Sequence, residues 1–273
     1  MEHLVQRSIA TMHHHFHEPL TLDDLARSAM VSKFYFLRVF SRVTGVTPGR
    51  FLSAVRLQEA KRLLRSTSLN VADISARVGY SSTGTFSRRF SESVGVSPTK
   101  YRHLAYERCT GQPESAGPPE NPESPKTPGE AGSPEPVTPI RPPSETGSNT
   151  IHGTILSEEH PVISVRLGLF SSPILQGRPV TTVEVCAPGR YILRDLPSGV
   201  WYLHAVARSH AAATDTATGE APQLVDMVGP LRFSQNANAH VNLTLRPFDW
   251  SRPPILSALE GMDPLGRMPG RAA

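Results

Sequence analysis

Residues 71–102 read VADISARVGYSSTGTFSRRFSESVGVSPTKYR, and the periodicity of this stretch decides the fold. Asn70 precedes it as a helix N-cap, and Val71, Ile74 and Val78 recur at helical spacing. Gly79 supplies a tight turn. A second helix is predicted from Ser82 to Val94, stopped by Gly95 in the position a left-handed C-cap needs. The unit is helix, turn, helix.

The unit occurs twice. With a shift of 50 residues, 32–48 and 82–98 share eight of 17 positions: Ser32/Ser82, Phe36/Phe86, Arg38/Arg88, Phe40/Phe90, Ser41/Ser91, Gly45/Gly95, Val46/Val96 and Pro48/Pro98. Phe51 and Tyr101 continue the match. The first copy has Thr21 as its cap, with Asp23 and Asp24 in the first turn. Its second helix runs from Lys33 to Thr44, with Phe36, Val39, Phe40 and Val43 as the apolar stripe. Two copies of one supersecondary unit are the simplest account of such a repeat. Between them, Pro48 to Arg65 is expected to form one long helix with two apolar faces. Met1–His17 supplies a leading helix. The first turn carries Met30 where the second has Gly79, so its local backbone is expected either to differ or to tolerate Met30.

These residues resemble the AraC/XylS family of bacterial transcription regulators. The matching stretches are LTLDDLA…SKFYFLRVFSRVTGVTPGRFL, VRLQEAKRLL and the second unit quoted above. The resemblance covers about residues 3–108 and implies a two-module domain that sets two helices into successive major-groove segments of double-stranded DNA. Helix geometry points the core stripe inward and leaves the opposite face free. That face is Lys33, Phe34, Leu37, Arg38 and Ser41 in the first unit, and Ser82, Thr83, Gly84, Ser87 and Arg88 in the second. Arg38 and Arg88 offer the bidentate fork that guanine O6/N7 accepts, and Phe34 and Leu37 offer apolar contact to thymine methyls. Thr21 and Asn70, at helix N-termini, and Arg42 and Arg89 are the expected phosphate contacts. Gly84 removes a side chain from the second reading face, so weaker discrimination is expected there.

The rest of the chain changes language. Residues 111–149 hold 11 prolines and 5 glycines in 39 positions and almost no large apolar residue. The stretch from 109 to 149 is expected to be a disordered, Pro-rich linker. Strand-like runs follow at Ile151–Leu156, Val162–Phe170, Val180–Val185, Arg190–Leu193, Val200–Ala207 and His240–Leu245. Their spacing predicts an all-β sandwich over 150–247. The stretches IHGTIL, VISVRLGLF and GRYILRDLPSGVWYLHAVA resemble transthyretin-like and carboxypeptidase-regulatory-like domains. The last stretch is expected to be a hairpin about Pro197-Ser198-Gly199, with Tyr191, Leu193 and Tyr202 or Trp201 inward. One transthyretin-like branch hydrolyses 5-hydroxyisourate and ends in Tyr-Arg-Gly-Ser, an ending this chain lacks. Residues 248–273 are expected to be a flexible tail with one helical turn near Ile255–Leu259.

The predicted protein is therefore multi-domain: an all-α double helix-turn-helix domain (1–108, units about 21–45 and 70–95, joined by helix 48–65), a linker and an all-β domain. Charge supports the division. Residues 1–110 hold 16 Lys+Arg against 8 Asp+Glu, residues 111–149 hold 2 against 6, and residues 150–273 hold 10 against 10. The excess of the helical piece points to a polyanionic partner. Arginine outnumbers lysine 24 to 4, which also fits a GC-rich genome.

No run of 18 apolar residues and no apolar leader is present, so neither a membrane span nor a secretory signal is expected. Cys109 and Cys186 form no metal or redox motif, and the cytoplasm is the expected compartment. His13, His14, His15 and His17 include an i, i+4 pair, but no neighbour completes a metal site, and a solvated helix end is expected. No catalytic pattern or phosphate loop is visible, so no enzyme activity, cofactor or metal is expected. The expected partners are promoter DNA, RNA polymerase and a small-molecule effector on the β domain. The competing reading is an interaction protein whose β domain binds a partner and whose helices anchor it to DNA without sequence preference.

Overall fold

In the computed structural model, the structure describes residues 2–110, 149–157, 162, 164–186, 189–208, 223–234, 236–249 and 251–258. The expected disordered linker falls outside these residues apart from its first two and last positions. Seven helices come first: α1 (Glu2–His15), α2 (Leu22–Ser28), α3 (Lys33–Thr44), α4 (Pro48–Ser66), α5 (Val71–Arg77), α6 (Thr83–Val94) and α7 (Pro98–Thr110).

Their ends are written in short polar residues. The Ser32 hydroxyl accepts from the Tyr35 amide, Asn70 from Asp73 and Ser82 from Thr85. Gly45 and Gly95 close α3 and α6 in the left-handed region, with φ of 75° and 92°. Pro48 starts α4 at its first position, where a missing N–H costs nothing.

The sequence repeat is also a repeat of packing. Phe36 and Phe40 lie 5.6 Å apart between ring centroids, and Phe40 meets Phe51 edge-on at 5.6 Å. Fifty residues on, Phe86 and Phe90 are 5.6 Å apart and Phe90 meets Tyr101 at 5.7 Å. All six rings are buried. α4 buries Phe51 and Val55 as well as Leu57, Leu63 and Leu64, and all of them join one helical core. Arg56, in the middle of α4, donates to the carbonyls of Phe16 and Glu18, both at 2.7 Å. It ties the leading loop to the rod that joins the units.

Eight strands follow: β1 (Asn149–Ser157), β2 (Ser164–Phe170), β3 (Thr181–Cys186), β4 (Gly189–Leu196), β5 (Gly199–Arg208), β6 (Gln223–Phe233), β7 (Asn238–His240) and β8 (Leu243–Pro247). They form one connected sheet in the order β3-β2-β5-β6-β8-β1-β4, with β7 beside β1. β8 joins the halves, antiparallel to β6 through Val225↔Arg246 and parallel to β1 through Ile155↔Leu243. The sheet curls round one core that includes Ile151, Val165, Leu167, Leu193, Leu203 and Leu243. The result is closer to a barrel than to the expected pair of separate sheets.

Two expectations are corrected. β4 and β5 do not form a hairpin. β4 pairs with β1, whereas β5 pairs with β2 and β6. Tyr191 and Leu193 do point inward, and on β5 the half-buried Trp201 packs against the same core as Leu203, Ala205 and Ala207, with its indole N–H on the Pro197 carbonyl at 3.0 Å. The tail is neither helical nor loose over its described part. Residues 253–258 run as an extended strap, with Ile255, Leu256 and Ser257 buried. Apolar burial and backbone pairing hold it: Leu256 donates to the Leu175 carbonyl at 2.9 Å and Ala258 to the Val94 carbonyl at 3.0 Å.

The strap and the loop after β2 join the two domains. Ile174 and Leu256 belong to the helical core. Lys61, wholly buried in α4, donates to the Ile255 and Leu256 carbonyls at 3.2 Å each, and its ammonium sits 5.6 Å from the Tyr101 ring centroid. The Arg50 guanidinium donates to the Ser172 hydroxyl at 2.9 Å.

Candidate nucleic-acid interface

The reading face of each unit is built by its burial pattern. On α3, Phe36, Val39 and Phe40 are inside, leaving Lys33, Phe34 and Arg38 exposed and Leu37 and Ser41 half-buried beside them. Phe34 is 83 % exposed, which is rare for an aromatic ring without a partner surface. The Arg38 guanidinium lies 5.7 Å from the Tyr35 ring centroid, and Lys33 pairs with Asp23 at 2.8 Å across the turn. On α6, Phe86, Phe90 and Val94 are inside, while Ser82, Thr83, Gly84 and Arg88 are exposed and Ser87 is half-buried.

The two faces differ in how much positive charge they carry. Arg88 stands 3.6 Å from the Glu92 carboxylate one turn on. The equivalent of Glu92 in the first unit is Arg42. α3 thus carries Lys33, Arg38 and Arg42, and α6 carries Arg88 and Arg89 against Glu92. The repeat alignment already contained this Arg42/Glu92 exchange, but only the ion pair gives it meaning.

The four phosphate candidates are dispersed. Thr21 is engaged in a capping box: its N–H donates to the Asp24 carboxylate at 3.0 Å and its hydroxyl at 2.6 Å, while accepting from the Asp24 amide. Hydrogen bonds from Thr21 hold the Asp24 carboxyl below the usual carboxylate range. That end of α2 therefore already holds a negative group. Asn70 caps α5 through Asp73 N–H at 2.8 Å and is otherwise exposed. Arg42 and Arg89 line clefts shared with the β domain rather than the Phe34–Arg38 face. The histidine end of α1 is exposed, and His15 pairs with Glu18 at 2.8 Å.

Sequence reasoning missed the residues of the domain junction. Arg50, Lys61 and Ser172 gain their roles from contacts across more than a hundred residues, His204 and Arg252 from the cleft that the folded junction forms, and no local pattern marks them.

Two helix-turn-helix units on a shared rod, each with an exposed second helix carrying arginine at the same position, define a bipartite DNA-binding domain. The helix-turn-helix domain family matches residues 25–103. The regulatory protein SoxS of Escherichia coli is 37% identical over 100 residues, spanning 37% of this chain and 94% of SoxS. The uncharacterized HTH-type transcriptional regulator YdeC of Bacillus subtilis is 29% identical over 102 residues, 37% of this chain and 35% of YdeC, so the chain spans about a third of that relative. Among solved structures, the DNA-binding domain of AdpA in complex with a target DNA shares 30% identity over 40% of this chain and 97% of that one, with a TM-score of 0.37. The chain belongs, through its N-terminal domain, to the AraC-type helix-turn-helix family.

Proposed function

We propose that the protein is a sequence-specific transcription regulator that sets α3 and α6 into successive major-groove segments on one face of a duplex. The observation that carries the reading is the three-dimensional repeat: Phe34, Leu37, Arg38 and Ser41 on one helix, Thr83, Ser87 and Arg88 on the other, both backed by the same ring packing. Major-groove segments on one face recur at about 34 Å, so one chain can occupy a site without two-fold symmetry. Arg38 and Arg88 read guanine, and Phe34 and Leu37 meet thymine methyls. The cooler charge of α6 makes the second half-site the less stringent.

The β domain, docked on α4 and α6 by Lys61 and the strap, is the regulatory part of this reading. Its partners are a small-molecule effector and, at a promoter, RNA polymerase. A DNA partner places the protein with the chromosome in the cytoplasm. No catalytic step enters the reading. Among the described residues no helix is long and apolar enough to cross a membrane.

In vitro selection of DNA sites by the full chain, beside Arg38→Ala and Arg88→Ala, tests the proposal. A bipartite motif is expected, with each variant relaxing one half. Binding without a motif, unchanged in either variant, would show the helices to be an electrostatic anchor only.

A further inference from the structure

Where the end of α3 faces the β domain, the surface opens into a cleft of about 330 Å³. That lies within the range of ligand pockets, roughly 300–1,000 Å³, which gather at domain junctions. One wall is Val43 and the Gly45 stop of the first recognition helix. The other is apolar, with Leu175, Val225, Met227, Phe248 and Ile255. Two cations, Arg42 and Arg252, two carboxylates, Asp226 and Asp249, and His204 are among the polar groups that line it.

Arg252 is the loosely held one, paired with two carboxylates only at the limit of contact. Its side chain is 29% exposed, yet among the described residues it donates no hydrogen bond. The nearest carboxylate oxygens, on Asp226 and Asp249, are each 4.0 Å away. Both carboxylates keep their charge beside it but take their hydrogen bonds from other groups. Asp226 accepts the Met227 and Thr244 amides at 2.8 Å each, and Asp249 accepts the Ser251 amide at 2.7 Å and its hydroxyl. A guanidinium carries five donors, and a largely buried one needs acceptors. His204 adds no competing charge. Its Nε2 faces the Ser172 carbonyl at 3.0 Å and must donate to it, since a carbonyl only accepts. Burial pushes its pKa down to about 4. Its Nδ1 is then a lone-pair acceptor.

Resting on the regulator reading above, we propose that this cleft binds a small organic anion, its charged head on the Arg252 guanidinium and its apolar body against Met227, Phe248 and Ile255. Such a ligand touches the β domain and the end of α3 together. Its occupancy therefore biases how the first reading helix sits against the β domain. A carboxylate or a phosphate monoester meets this chemistry, and a neutral molecule of the same shape does not.

Calorimetric titration of the full chain with hexanoate, hexyl phosphate and hexanamide tests it. At least one anion is expected to bind, with the amide at least about tenfold weaker, because the guanidinium bonds are charge-assisted. Arg252→Gln is expected to weaken the anion at least about tenfold and leave the amide unchanged, and Arg252→Lys to recover part of the loss. Met227→Trp, filling the cleft where the apolar body would lie, is expected to abolish all binding even if Arg252→Gln folds poorly. Equal binding of amide and anions, an unaffected Arg252→Gln variant, or no anion binding up to about 10 mM overturns the proposal. Site selection on the same preparation separates the two readings. A chain that selects a motif but binds no anion loses only the ligand site, and one that binds the anion but selects no motif loses the regulator.

Discussion

Met30 and Gly79 hold the same left-handed turn in the two helix-turn-helix units, with φ of 55° and 83°. The surroundings differ. Met30 is 85% exposed, while a Cβ on Gly79 would lie 2.8 Å from the His17 carbonyl oxygen. At Met30 the cost is backbone strain alone, about 1–2 kcal/mol. Met30→Gly is therefore expected to raise helical-domain stability by about 0.5–1 kcal/mol, after the greater freedom of an unfolded glycine is counted. Gly79→Ala is expected to lower stability by more than about 2 kcal/mol, since it meets both the strain and the carbonyl. Thermal unfolding of the two variants reads both, and opposite signs are the expected result.

The Arg88–Glu92 pair predicts unequal half-sites. Arg38→Ala is expected to cost about 1–3 kcal/mol of binding to the selected site, and Arg88→Ala less. Glu92→Gln frees Arg88 and removes a negative charge, so it is expected to tighten binding up to about fivefold at low salt. Fluorescence anisotropy across a salt series measures all three. Equal losses in the two arginine variants would remove the asymmetry.

Much of the helical domain was legible because its signals are local. Ser32, Asn70, Ser82, Gly45 and Gly95 announce helix ends within four residues of where they act, and the phenylalanine stripe repeats at fixed spacing. The β domain was legible only as strands. Which strands pair depends on contacts far apart in sequence, so the run from Arg190 to Ala207 read as a hairpin although β4 and β5 lie in different parts of the sheet. β6 went unseen because Gly229 and Pro230 sit in its middle, and a glycine–proline pair reads as a break. In the structure they form a bulge, where the register shifts between Trp201↔Leu231 and Leu203↔Val228. The reading residues were legible in the repeat. The state of Thr21, closed by Asp24, was not, since a cap and a phosphate site use the same atoms.

Lys61 predicts how the domains part. Lys61→Met keeps the stem but leaves the Ile255 and Leu256 carbonyls short of a donor in a buried place, which costs about 1–3 kcal/mol. The loss is expected in strap docking rather than in the sheet. Hydrogen exchange should quicken at the Leu256 and Ala258 amides, while amides in the centre of β5 keep their protection. Unchanged exchange at the strap would show the ammonium to be dispensable.

His204 predicts an acid-sensitive β domain. Its folded pKa of about 4 lies below the ordinary value of 6.5, so the unfolded chain takes the proton first. The stabilisation is present above about pH 6.5 and drains away as pH falls towards 4, a loss on the order of 3 kcal/mol. His204→Gln, which can still donate to the Ser172 carbonyl, is expected to flatten that part of the curve. Denaturant midpoints of both proteins between pH 7 and pH 4 give the comparison, and parallel curves would assign the acid sensitivity to other groups.

The strap has a consequence in time. Leu256 reaches Lys61 across 195 residues of chain. A ribosome adding about 5–20 residues per second completes the helical domain about 7–30 seconds before that carbonyl exists. During the interval the groove around Lys61 stands open and the first recognition helix has no β domain beside it. Every newly made molecule therefore passes through a stage with both reading helices built and no restraint upon them, and the last strand and the strap close that stage. A message cut short before the first strand would leave its product there permanently.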